Sequence, residues 1–112
     1  MGALMYGLPS VEFQIPDRAL AHLKLTILQK LRRGESFALS LETDEEREGF
    51  GRQSLWLSNA IPLRFLFVER LRPTLNRAWL NALAVSSNSA SGLRLVDEPE
   101  DADAAVTLEA TH

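Results

Sequence analysis

The chain has 112 residues, a formal charge of −3, 46% hydrophobic and 24% charged side chains, and no cysteine. That composition is globular, and one core of this length buries roughly two thirds of the unfolded surface, which excludes a multidomain enzyme. Without cysteine there is no disulfide scaffold, thiolate zinc site or thiol nucleophile, and no apolar run reaches the roughly 18 residues of a membrane helix.

Ala3 to Tyr6 and the alternating Val11, Phe13 and Ile15 predict two strands paired across residues 7–10, the second with one face buried. Pro16 and Asp17 open a helix, with Asp17 expected to accept the free N–H groups of its first turn, and Gly34 closes it in the left-handed region. Lys30, Arg32 and Arg33 fall in the last turn, where cations suit the helix dipole. Leu20, Leu23, Ile27 and Leu31 form one stripe, and Ala21, Leu25 and Leu28 widen it to an arc of roughly 200°, more than one sheet face covers. The helix is therefore expected to touch a second partner, either the other helix or another subunit. Lys24 lies inside the arc, its stem over apolar surface and its ammonium in water, the sharper alternative being a desolvated nucleophile. His22 falls opposite the stripe and reads as solvated.

Phe37, Leu39 and Leu41 alternate as a third strand, and the acidic, glycine-bearing stretch at 43–51 reads as a long hairpin loop. Gly49-Phe50-Gly51-Arg52 leads into a strand, whereas phosphate-binding glycine loops precede a helix N-terminus, so a turn is the better reading. Leu55 and Leu57 mark a fourth strand, and Leu63, Phe65 and Phe67 a fifth. Trp56 on one, and Leu66 with Val68 on the other, make both strands apolar on two faces, as in a central strand or an interface. Leu75, Trp79, Ala82 and Leu83 recur at helical spacing, with Ala78, Leu80 and Val85 widening the stripe, until the polar run at 86–92. Leu93 and Leu95 form a short last strand. The order β-β-α-β-β-β-α-β predicts a single α+β domain over residues 1–96, in which a mainly antiparallel sheet packs two helices on one face. Residues 97–112 carry six acids and no base, and read as a disordered acidic tail.

No catalytic, cofactor or metal residues emerge. The only histidines are His22 and His112, and no serine has a titratable partner at a triad-like spacing. The acids at 44–48 and 101–103 read as solvated runs, the latter lacking the glycine and distal glutamate of a calcium loop. The wide helix arc and two-faced strands point to a non-catalytic interaction module that self-associates or docks a protein partner, through Leu25, Trp56, Leu66 and Leu80. Between residues 52 and 94, Arg52, Arg64, Arg70, Arg72, Arg77 and Arg94 face a single acid, Glu69. The second reading is thus a nucleic-acid-associated accessory protein, with those arginines on phosphate and Trp56, Phe65 or Trp79 as stacking surfaces where exposed. The bland alternative spreads the arginines over a soluble surface. The N-terminus has neither the basic region nor the apolar stretch of a signal peptide, so a cytoplasmic location without membrane contact is expected.

The segments DRALAHLKLTILQKLRRGESF (17–37), GRQSLWLSNAIPLRF (51–65) and LNRAWLNALAVSSNSASGLRLVDEP (75–99) resemble a family of small actinobacterial domains of unknown function. Its members often carry the label ATP-dependent DNA ligase. The resemblance runs through residues 1–99 and rests on core and turn patterns, while the acidic 42–51 segment departs from a shorter, glycine-rich stretch. What the label implies conflicts with the residues. Adenylate transfer needs a lysine nucleophile in K-x-D-G and metal-binding acids, whereas the only lysines are Lys24 in KLTI and Lys30 in KLRR.

Overall fold

The computed structural model describes residues 1–42 and 49–100. Residues 43–48 of the expected hairpin loop and residues 101–112 of the expected tail lie outside the described residues. The elements are β1 (Gly2–Tyr6), β2 (Val11–Ile15), α1 (Asp17–Arg32), β3 (Phe37–Glu42), β4 (Arg52–Leu57), β5 (Leu63–Leu66), α2 (Arg77–Ser87) and β6 (Leu93–Arg94). The α+β class and the element order match the sequence reading. The strands divide into two three-stranded sheets, β2-β1-β5 and β4-β3-β6.

β1 is the centre of the first sheet, antiparallel to both neighbours, with Leu4 opposite Phe13 on one side and Phe65 on the other. β3 is the centre of the second, antiparallel to β4 and parallel to β6. The division occurs at residues 58–62, where Ile61 N–H donates to the Ser58 carbonyl and Gly7 N–H to the Pro62 carbonyl. Pro62 has no N–H to extend a β4 ladder, and its carbonyl hands the chain to β1 instead. Both two-faced strands are therefore edges, β4 in one sheet and β5 in the other. Of the two readings for them, a central position is excluded. The Tyr6 hydroxyl closes part of the β4 edge by donating to the Trp56 carbonyl at 2.9 Å.

The helices lie over the inner faces. Leu20, Leu23 and Ile27 of α1 and Trp79 and Leu83 of α2 join Leu4, Phe13, Ile15, Leu39, Leu41, Leu55, Leu57 and Leu93 in one buried cluster. α1 packs on α2 and β1, and α2 on β3 and β6. Gly34 ends α1 as expected, at φ 77° with its N–H on the Leu31 carbonyl.

Three local expectations are corrected. Asp17 is the first helical residue and caps nothing in its own helix: its carboxylate accepts the Val68 and Glu69 N–H groups, tying the chain after β5 to the start of α1. His22 is fully buried, because its ring packs on Trp79 of α2; with the buried Thr26 and Lys30 it forms a row at four-residue spacing beside the Leu23 and Ile27 stripe. Leu75 precedes α2: Asn76 is its N-cap, with the side-chain oxygen accepting the Trp79 N–H. Among the described residues, no helix is long and apolar enough to cross a membrane.

Candidate interaction surfaces

Where α1 and α2 begin, four segments meet in one polar network. The Asn76 N–H donates to His22 Nε2 at 2.8 Å. That nitrogen must be the bare one, so Nδ1 carries the proton and donates to the Arg18 carbonyl at 2.7 Å. The His22 ring lies 4.5 Å from the Trp79 ring, whose Nε1–H reaches the Val96 carbonyl. The Asn76 amide donates to Glu98 and to the Pro99 carbonyl, and Arg18 holds both Glu98 oxygens at 2.9 and 2.7 Å. The Arg18 hydrogen bonds first, then that of Asn76, draw the Glu98 carboxyl down to about 2 against the opposing cost of desolvation. Asp17 is also lowered, chiefly by the Glu69 N–H. Every polar group in this cluster has a partner within the chain, and the cluster fastens residues 96–99 across both helices.

Where the helices end, Lys30 is buried. Its ammonium donates to Asn88 Oδ1 at 3.0 Å, lies 3.4 Å from Glu35 Oε2, and sits over the Phe37 ring. Beside it an open groove of about 370 Å³ runs past Ala38, Ser89 and Gly92 to the indole of Trp56. Lys24 is half-buried with its ammonium 5.6 Å from the Phe67 centroid, which agrees with the packed-stem reading. No group of three or more metal-ligating side chains occurs among the described residues. The lysine, asparagine and histidine contacts have no signature in composition. The signal that locates them is a polar row at 22, 26 and 30 flush against an apolar stripe.

The candidate interface residues separate into two kinds. Leu25 and Leu80 are half-buried on the helices, whereas Trp56 is 57% and Leu66 39% exposed, each on the outer face of its edge strand. Among the described residues, no helix covers those faces. The six arginines are all exposed but dispersed. Arg52 and Arg94 share the outer face of β4-β3-β6 with Trp56, since Leu39, Leu55 and Leu93 take the inner one and Ser40 lies opposite both Ser54 and Arg94. Arg64 lies on the outer face of the other sheet, Arg70 and Arg72 follow β5, and Arg77 opens α2. Of the three stacking candidates only Trp56 is open: Trp79 is buried against His22 and Phe65 is half-buried.

The family model described as Domain of unknown function (DUF7882) matches residues 1–98. No curated protein and no solved structure matches the chain.

Proposed function

The chain belongs to this family of unknown function, and from that premise we propose that it is a non-catalytic interaction module that associates with itself through its uncovered sheet faces. The observation that supports this reading is the exposure of Leu66 on one sheet, with Met1 and Val68 beside it, and of Trp56 on the other. Large apolar side chains left in water on a sheet face gain about 25 cal/mol for each Å² that a partner covers. Light scattering on the eluting peak in size-exclusion chromatography, run over a range of loading concentrations, tests the reading. It predicts a mass that rises with concentration, and a strict monomer at high micromolar loading overturns it.

A second reading is favoured by one specific observation: Arg52 and Arg94 share one open face with Trp56 and two serines, Arg52 standing opposite Glu42. Guanidinium groups on the same face as an exposed indole suit a single-stranded nucleic acid, with bases stacked and phosphates paired. Such binding weakens steeply with salt. It is supported if Trp56→Ala and Arg94→Ala each weaken single-strand binding at low salt, and it fails if the full chain binds neither single- nor double-stranded DNA there.

A further inference from the structure

The outer face of β2-β1-β5 carries two cross-strand rows fixed by the register. One is Gln14, Ala3, Leu66 and the other Glu12, Met5, Arg64, each written from β2 through β1 to β5. The inner face is occupied by Leu4, Phe13 and Phe65, which pack in the core, so these six side chains point away from the helices. A shallow depression of about 170 Å³ opens there between Met1, Ala3, Glu12, Gln14, Leu66 and Val68. The central strand thus shows only apolar groups outward, with an acid on one flank and a base on the other. Glu12 and Arg64 are both exposed, and neither has an ion-pair partner among the described residues. Two strand spacings separate their backbones by roughly 9–10 Å, with Met5 between.

Resting on the self-association reading above, we infer that this face docks onto the same face of a second copy, about a two-fold axis that runs along β1. The charges select this axis. Rotation about a line parallel to β1 carries β5 of one copy over β2 of the other, so each Glu12 meets the Arg64 of the other copy, twice over by symmetry. Met5 then packs on Met5, and Leu66 reaches across the depression beside Ala3. The other face-to-face two-fold axis, perpendicular to the strands, lays β2 on β2 and β5 on β5. That arrangement brings carboxylate towards carboxylate and guanidinium towards guanidinium, and like charges facing one another disfavour it. Three strands of four or five residues make a face roughly 15 Å by 16 Å, well below the roughly 800 Å² per partner of stable complexes. The dimer is therefore reversible and forms at high micromolar concentration.

The test uses sedimentation equilibrium of the full chain and of two charge reversals, Glu12→Arg and Arg64→Glu, up to about 1 mM. Both residues are exposed and have no ion-pair partner among the described residues, so circular dichroism and thermal unfolding of the variants should match wild type. Each reversal alone should weaken self-association about tenfold or more, because both symmetry-related pairs become repulsive. An equimolar mixture of E12R and R64E should recover association to within about threefold of wild type, since every cross-copy pair is again of opposite charge. If the wild type associates but the reversals have no effect, or the mixture fails to recover, this surface is wrong while self-association stands. If the wild type remains monomeric throughout, both fail.

Discussion

Asn76 offers the sharpest test of how the two helices are fastened. The residue is only 2% exposed, and its side chain makes three hydrogen bonds: the oxygen accepts from Trp79 N–H, and the amide donates to Glu98 and to the Pro99 carbonyl. Asn76→Ala removes an N-cap, which costs about 1 kcal/mol, and strips donors from two acceptors, at about 1 kcal/mol or somewhat more in total. The expected loss is about 2–3 kcal/mol, which at a urea slope of about 2 kcal/mol/M lowers the unfolding midpoint by roughly 1–1.5 M. Asn76→Asp separates the two roles. Aspartate is as good a cap as asparagine, yet it places an oxygen 2.9 Å from a Glu98 oxygen and 2.8 Å from the Pro99 carbonyl, where only a donor fits. At pH 7 the aspartate variant should be less stable than the alanine variant, despite keeping the cap. Urea unfolding of both variants refutes the reasoning if the alanine change costs under about 0.5 kcal/mol, or if the aspartate variant is the more stable.

Glu98 sets a pH dependence with a definite sign. Its carboxyl lies at about 2 in the folded chain against 4.5 ordinarily, so its contribution is complete above pH 4.5 and is lost as pH falls through about 2. Thermal midpoints between pH 5 and 2 should fall less steeply for Glu98→Gln than for wild type. Gly92→Ala should cost more than Gly34→Ala in urea unfolding. Both glycines have positive φ, but a Cβ at Gly92 lies 2.6 Å from the Ala38 carbonyl, while at Gly34 it meets nothing within 4 Å and the cost is about 1 kcal/mol. Lys30→Met should cost about 1–2 kcal/mol in the same assay, because Asn88 and Glu35 lose their cation, although Glu35 is exposed enough to turn towards water.

The period-two rows were the most legible part of the chain. Phe37, Leu39 and Leu41 are all buried, as are Phe13 and Ile15, because an alternating strand has one face for the core, whereas Val11 at the start of β2 is 53% exposed. Strand neighbours are a different matter. That β5 leaves β4 to pair with β1 depends on a contact between residues 7 and 62, which no local pattern encodes. The same ignorance kept Arg52 and Arg94 indistinguishable from Arg70 and Arg72, since membership of one face follows from register. His22 is buried although it falls opposite the apolar stripe, a position that predicts solvent. It is buried beside Trp79 because Asn76 and the Arg18 carbonyl, distant or unassigned in the sequence, satisfy both ring nitrogens. The apolar arc of α1 misleads in the same way: Leu25 and Leu28 are only half-buried, while Thr26 and Lys30 are buried. Trp56 and Leu66, by contrast, were singled out on two-faced strands and are exposed in the structure.

Self-association is the claim on which the functional account depends, and the average mass of the wild-type chain at sedimentation equilibrium measures it without any variant. From about 10 μM to about 1 mM the account predicts a reversible rise from the 12.5 kDa of one chain towards twice that value, with no larger species. A mass that stays at 12.5 kDa across that range contradicts it.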